Sequence, residues 1–362
     1  MINQKVNIHG FTYNNKGKQQ GFSLLEIFIS LSIGLVLFAG VMSVFVGLKT
    51  TVSETSSYGE MQENGRFAIS VLTDDLIRQG FWGNLPAEMD ISVLENPPPV
   101  VANDCTVAGT NNGSFPQAVG HFRTLWGTTL ASASVMNCIT DAKTTSDIIV
   151  IKRVISQPVV PPVTAAKLDA NRYYLMSSAN SADVFAGNAA IPTIPNSQVW
   201  EYQNHIYYIK NETQGSNTIP VLMQGRLTNS AIKAINFQPM IDGIEMIRFW
   251  YGVDMDADVD TNDYTDTFNV SSGPGDGVID AFIPARNMTA ALWDNDASKV
   301  LAVKMFVLVR DILPDAKYTN NNTYQLGGSS TADQFSAGGD NYRRLLFSST
   351  VSLQNAKVKV WN

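Results

Sequence analysis

The sequence predicts an α+β protein in which a long N-terminal helix, membrane-spanning in its first half, packs on a mainly antiparallel β-sheet head. Three observations support this fold class. An almost continuous apolar run fills residues 21–48, an apolar stripe at helical spacing follows it, and segments rich in β-branched and aromatic residues recur through the rest of the chain. Because the helical and strand signals occupy separate parts of the chain, an α+β arrangement is expected.

Residues 22–48 form the predicted membrane-spanning part of the helix, because about 20 apolar residues are enough to cross a bilayer. Only Glu26 adds a charge to this segment. A carboxylate at that depth in hydrocarbon needs a partner, so a functional role is expected for it. Lys16 and Lys18 lie just before the apolar run, and this basic stretch is expected to hold the N-terminus in the cytoplasm and the remainder of the chain in the periplasm.

The helix is predicted to continue as an amphipathic segment over residues 49–83. Apolar residues at intervals of seven, four and four share one helical face: Met61, Ala68, Leu72 and Leu76. Gly80, Gly83 and Pro86 then end the pattern. The stripe predicts that this part of the helix packs against a sheet.

Six later segments carry the strand signal: residues 147–155, 199–209, 220–227, 244–253, 300–309 and 344–353. The connections between them are polar and contain Gly, Pro and Asn, without an amphipathic run of helix length. Residues 84–362 are therefore predicted to form a β-rich head. Within it, residues 85–235 either belong to the same unit or form a small subdomain.

Length and charge restrict the possible functions. The chain has 362 residues and a formal net charge of −7, which allows one large domain or two modest ones. Its first 21 residues contain lysines and no acidic residue, so the remainder is more acidic still. Direct nucleic acid binding is not expected, because a broad binding face needs clustered Lys and Arg to displace counterions.

Cys105 and Cys138 are the only two cysteines. Both follow the predicted membrane segment, and the oxidising compartment expected there favours a disulfide, with two unrelated buried thiols as the alternative. The bond would close a loop that contains the Gly- and Asn-rich residues 110–114. Restraining the unfolded chain in this way adds about 3 kcal/mol to stability.

Residues 21–26 (GFSLLE) resemble the cleavage and N-methylation motif of type IV prepilins, a class III signal peptide. The resemblance implies that residues 1–21 are a leader, that prepilin peptidase cleaves after Gly21, and that the new N-terminus at Phe22 is methylated. It also implies that Glu26 neutralises the amino terminus of a neighbouring subunit, an ion pair favoured in low dielectric. A secretory signal peptide or a plain membrane anchor is the alternative, but neither explains the glutamate.

Three further segments resemble the PilW family of minor pilins: residues 64–83, which end in the aromatic-glycine turn FWG, residues 304–310 and residues 342–348. The resemblance implies a minor pilin that primes assembly of type IV pili, lies near the tip, and supports twitching motility, adhesion and DNA uptake. Before assembly, the chain would be a single-pass inner-membrane protein. The implied partners are other minor pilins, the major pilin, a tip adhesin, prepilin peptidase and the inner-membrane assembly platform.

Two acidic turns indicate a cation site. Residues 251–260 (YGVDMDADVD) place aspartates at alternate positions after a strand, and residues 275–280 (GDGVID) form a second turn. Alternating aspartates can converge on Ca²⁺, which prefers oxygen ligands. PilW-like sequences often place a compact loop after such a strand, which implies that here an insertion splits it. The predicted ligands are Asp254, Asp256, Asp276 and Asp280, with Asp258 and Asp260 as alternatives. A solvated acidic loop without metal is the other interpretation.

The sequence contains no nucleophile elbow, phosphate-binding loop or zinc-protease helix, and His121 and His205 stand alone. The chain is therefore not expected to be an enzyme. Two other functions stay open. One is a minor pseudopilin of a type II secretion system, which shares the N-terminal motif, and the other is a membrane-anchored periplasmic adhesin or binding protein. The aromatic-glycine turn favours the pilus.

Overall fold

Helix α1 (Leu24–Ile77) takes up the first part of the chain in the computed structural model, which describes residues 21–86, 88–215, 217–255, 277–294 and 299–357. The predicted apolar stripe is buried: Met61, Ala68, Leu72 and Leu76 are each at most 2% exposed. After the helix, Gly80 (φ 70°) and Gly83 (φ 67°) adopt left-handed backbone conformations, which glycine accepts without a steric penalty. The long helix and its buried face are therefore confirmed.

The larger sheet of the head is antiparallel and has seven strands: β1 (Leu125–Thr129), β2 (Asp147–Val154), β3 (Tyr173–Ser177), β4 (Ala182–Ala186), β5 (Gln198–Gln214), β6 (Asn217–Leu227) and β7 (Ile235–Asp242). Its main path runs β1-β2-β5-β3-β4, and β6 joins β5 to β7. β5 is 17 residues long, so different parts of it pair with β2, β3 and β6.

The smaller sheet has the order β13-β10-β8-β9 and is built from β8 (Ile244–Asp254), β9 (Ala281–Pro284), β10 (Lys299–Arg310) and β13 (Arg344–Ser352). The elements that accompany it are short: α2 (Ala290–Asp294), β11 (Thr323–Gln325), β12 (Gln334–Ser336) and α3 (Gln354–Lys357). β11 and β12 pair only with each other among the described strands. This hairpin accompanies a small apolar cluster on the smaller sheet, formed by Met246, Trp250, Phe306, Leu308 and Leu326.

One apolar core joins the second half of α1 to both sheets, and it contains residues on either side of position 235. The sheets are also tied together by a buried ion pair between Arg248 Nη1 and Asp147 Oδ1 at 3.0 Å. The Phe249 N–H donates to the same carboxylate. Burial raises the pKa of Asp147 to about 6, although Arg248 and a hydrogen bond from Thr129 act in the opposite direction.

The fold class and the six predicted strands are confirmed, since each predicted segment overlaps one of β2, β5, β6, β8, β10 and β13. β1, β3, β4, β7, β9 and the β11–β12 hairpin were not predicted.

Candidate functional site

The N-terminal segment is exposed throughout: every residue from 21 to 49 is exposed, including large apolar side chains such as Phe22 (82%) and Leu35 (62%). By length and composition, α1 could cross a membrane, and it is the only helix in the described part of the chain that could. Apolar surface on this scale is not stable in water and needs lipid or other apolar helices around it. The segment is therefore a candidate assembly surface. Lys16 and Lys18 lie outside the described residues.

Glu26 forms a reciprocal pair of hydrogen bonds with Ser23 at the start of α1. The Ser23 N–H donates to Glu26 Oε2 at 3.0 Å, and the Glu26 N–H donates to Ser23 Oγ at 3.2 Å. This is a capping box, in which two otherwise unpaired N–H groups of the first helical turn are satisfied. The spacing Ser-x-x-Glu before an apolar run is the sequence signal of this capping box, which was not predicted. Glu26 thus has a local role in addition to any role between subunits.

A buried polar cluster connects the second half of α1 to the larger sheet; we call it the Asp75 network (Asp75, Arg153, His205 and Tyr207). Arg153 Nε and Nη2 donate to Asp75 Oδ1 at 3.0 and 2.5 Å. His205 Nδ1 lies 2.6 Å from Asp75 Oδ2, and Tyr207 Oη donates to the same oxygen at 2.5 Å. His205 is therefore neither isolated nor exposed. Its ring is buried in the head and contacts the Asp75 carboxylate of α1.

The Asp75 network holds its carboxylate in the ionised form. Asp75 is 3% exposed, and burial alone would raise its pKa. The hydrogen bond and charge of His205, the charge of Arg153 and the hydrogen bond of Tyr207 outweigh burial, so the pKa lies well below its usual range. This arrangement is suited to fixing the helix on the sheet. Asp75 lies three residues after Leu72, within the apolar stripe, and a carboxylate at that position was the sequence signal for a buried partner.

The aromatic-glycine turn at residues 81–83 packs on β5. Phe81 meets Trp200 edge-on with ring centroids 5.5 Å apart, and Trp82 stacks on Tyr202 at 6.0 Å. A Cβ atom at Gly83 would lie 2.2 Å from the Trp200 ring, so only glycine fits there. The turn has a structural function in this chain: it ends α1 and fixes its position against the larger sheet.

Cys105 and Cys138 form the predicted disulfide, with a Cα–Cα distance of 5.2 Å. The polar stretch that the bond encloses is buried, since Asn111, Asn112 and Ser114 are at most 2% exposed. Asp104 organises it, accepting hydrogen bonds from the Ser114 N–H and hydroxyl at 2.6 Å each. Residues 110–114 are thus held by polar contacts.

Lys152 lies beneath this loop and is fully buried. Its Nζ donates to the backbone oxygens of Asn112 at 3.0 Å and Arg123 at 2.5 Å, and lies 4.7 Å from the centre of the Phe122 ring. Burial lowers the pKa of Lys152 to about 7, although the charge of Asp104 raises it. Lys152 therefore anchors the disulfide loop on the sheet through carbonyl contacts.

The predicted cation site lies only partly within the described residues. Asp254 and Asp280 are described, whereas Asp256, Asp258, Asp260 and Asp276 lie outside them. Asp254 Oδ2 accepts from the Gly277 N–H at 2.8 Å, and Asp280 Oδ2 accepts from the Met255 N–H at 2.6 Å. These bonds bring residues 254–255 next to residues 277–280. Within the described part of the chain, no three His, Cys, Asp or Glu side chains are placed to hold a metal ion.

Comparison with known families gives one match: residues 206–355 match the model of a family described as Type IV Pilus-assembly protein W. The matched part starts within β5, contains the smaller sheet, and ends within α3. Among the three segments that resemble the PilW family, residues 304–310 and 342–348 lie inside the match and residues 64–83 lie outside it. No curated protein and no solved structure matches the chain. The match supports a role related to type IV pilus assembly and interaction with other pilus components.

Proposed function

We propose that this chain is a PilW-type minor pilin that primes assembly of type IV pili and lies near the pilus tip. One observation carries the proposal: the match to a pilus-assembly family at residues 206–355 occurs in a chain whose N-terminal helix is exposed and apolar over residues 24–48, where Glu26 is the single charged residue. In this role the protein acts through assembly and not through catalysis. Twitching motility, adhesion and DNA uptake would depend on it through the pilus.

The proposed pathway begins in the inner membrane, with the head in the periplasm. Prepilin peptidase removes residues 1–21, and Phe22 becomes the methylated N-terminus. Glu26 then faces the amino terminus of a neighbouring subunit, where an ion pair removed from water favours correct register between helices. The partners are other minor pilins, the major pilin, a tip adhesin and the assembly platform.

Mass spectrometry of the mature N-terminus, together with counts of pili on cells that lack the gene, tests this proposal. We expect a chain that begins at methylated Phe22, and loss of most pili in the deletion strain. An arginine substitution, Gly21→Arg, should leave the full precursor in the membrane. Normal pili with defective export of type II secretion substrates would instead indicate a pseudopilin. A chain that retains residues 1–21 would indicate an anchored binding protein.

We further propose that the acidic turns bind one Ca²⁺, with Asp254, Asp256, Asp276 and Asp280 as ligands and Asp258 and Asp260 as alternatives. The proximity of Asp254 and Asp280 supports this proposal. Binding only to the folded state stabilises it by about 2.7 kcal/mol at a hundredfold excess over the Kd. Melting of the solubilised full chain should therefore shift upward with Ca²⁺ and less with Mg²⁺. An unchanged melting temperature would leave a metal-free acidic loop.

A further inference from the structure

Strand β13 forms one long edge of the smaller sheet that no other described strand covers. It is the outermost strand, and it pairs over nine residues with β10, without a register shift. Among the described strands it has no partner on its other side. From Leu345 to Ser352 it contains no charged residue and no proline. An edge of this kind presents a row of unpaired backbone groups that another strand can use.

The other sheet edges are protected in ways that β13 is not. β7 contains Pro239, and its pairing with β6 is interrupted by a register shift. β9 has four residues and ends in Pro284. β1 and β4 have five residues each, and the Glu95 N–H already donates to Ala182 in β4. Short strands, bulges and prolines are the usual means of blocking edge pairing, so β13 is the exception among the described edge strands.

The pairing pattern identifies which groups of β13 face outward. The Leu353 N–H donates to Leu301 O at one end, and the Asp311 N–H donates to Arg343 O at the other. In an antiparallel pair the direction of the backbone groups alternates along the strand, so the odd-numbered residues of β13 face β10. The N–H and C=O groups of Leu346, Ser348, Thr350 and Ser352 therefore face away from the sheet.

A groove lies beside this edge, between β13 and the second half of α1. Its lining includes Ile77 from the helix and Phe347 and Ser348 from the strand. Ile77 is 46% exposed, and Phe347 is half-buried. Neighbouring strands lie about 4.8 Å apart, so one more strand beside β13 would cover this side of the helix and bury both side chains.

We propose that the open edge of β13 binds an extended strand of about five or six residues from a different subunit of the same filament, by β-strand addition. The occupant must be extended because only an extended chain can satisfy the outward N–H and C=O groups. Alternate apolar side chains of that strand would contact Phe347 and Ile77. The identity of the partner as a pilus subunit rests on the proposed function, which places this chain among other minor pilins.

Proline substitutions test the outward backbone groups of β13 without removing its hydrogen bonds to β10. The double variant Ser348→Pro/Thr350→Pro removes two outward N–H donors and leaves the β10 ladder intact, while Ser348→Ala/Thr350→Ala keeps both donors. Each full-length variant replaces the chromosomal copy. We expect the proline variant to reduce pili by about tenfold or more, with an unchanged urea midpoint for the solubilised chain, and the alanine variant to resemble the parent.

A photo-cross-linking amino acid at Thr350 identifies the occupant even if the proline variant folds poorly. A cross-link to a chain of different sequence that carries a prepilin N-terminus supports the proposal. A cross-link only to a second copy, or no cross-link in piliated cells, overturns it, as do normal pili in the folded proline variant. If deletion of the gene itself leaves pili unchanged, the proposed function fails and the edge proposal fails with it.

Discussion

The two halves of α1 are continuous in backbone but differ in what surrounds their apolar side chains. From residue 24 to residue 49 every side chain is exposed, whereas between Met61 and Leu76 one face is buried against the head. The second half also places an ionised carboxylate, Asp75, among partners of opposite charge. The first half has one carboxylate, Glu26, whose described hydrogen bonds lie within its own helix turn.

This difference shows which surroundings stabilise each half of the helix. The second half is fixed by the chain's own sheets, so its stability contributes to folding of the head. Within the described part of the chain, residues 24–49 of the first half have no buried side chain, so they depend on lipid or on the helices of other subunits. Substitutions in the two halves should therefore affect different measurements: unfolding of the head for one, and assembly for the other.

The largest expected effect is at Asp75. Asp75→Ala would leave Arg153 buried without its carboxylate partner, and removing one member of a buried ion pair costs about 3–5 kcal/mol. Its neighbour Asp74 is the matched control, since it pairs with Arg78 at the exposed surface. Asp74→Ala should cost at most about 0.5 kcal/mol. Urea unfolding of the solubilised full chain, followed by tryptophan fluorescence, measures both, because all six tryptophans follow residue 80. Equal losses of unfolding free energy in the two variants would contradict the stabilising role of the Asp75 network.

The pH dependence of unfolding tests the same carboxylate. Because the folded-state pKa of Asp75 is below that of the unfolded chain, its stabilising contribution is present above the unfolded pKa and is lost as the pH falls below about 4. Asp75→Ala should flatten the acid limb of the parent's stability curve. An acid limb that is identical in the two proteins would show that other carboxylates cause it.

A matched pair of leucines tests the comparison between the halves directly. Leu72 is fully buried and Leu35 is 62% exposed. Leu72→Ala should cost the head about 2–5 kcal/mol in urea unfolding, because a core side chain is lost and a cavity is left. Leu35→Ala should leave the urea midpoint unchanged and reduce only incorporation into pili. A loss of head stability in Leu35→Ala would show that the first half contributes to the fold of the head.

The sequence predicted the long helix, its buried stripe and the strands with a strong β-branched signal, because each is a local periodic pattern. It did not predict β3 (Tyr173–Ser177) or β4 (Ala182–Ala186), since five residues are too few to establish a pattern. β7 was missed because Pro239 argues against a strand, and it is tolerated there because β7 is at an edge. Short strands depend on neighbours that the local sequence does not specify.

The Asp75 network was also not predicted, for a different reason. Its members are separated in sequence, and the contact between Asp75 and His205 joins residues 130 positions apart. Sequence spacing shows that a carboxylate lies on an apolar helical face, but not which strand supplies its partner. The disulfide was easier to predict because two cysteines permit a single pairing. For the predicted cation site, the described residues show only that Asp254 accepts from the Gly277 N–H and that Asp280 accepts from the Met255 N–H.

The smallest expected effect separates the two roles of Glu26. Ser23→Ala removes the hydroxyl that accepts from the Glu26 N–H but keeps the carboxylate, and loss of a helix N-cap costs about 1 kcal/mol. Glu26→Ala keeps this cap bond, because the donor is the backbone N–H, and removes the charge together with the carboxylate that accepts from the Ser23 N–H. If the carboxylate acts between subunits, Ser23→Ala should retain most pili while Glu26→Ala loses most of them, with both precursors cleaved after Gly21. Equal loss of pili in the two variants would show that the capping box alone accounts for the requirement for Glu26.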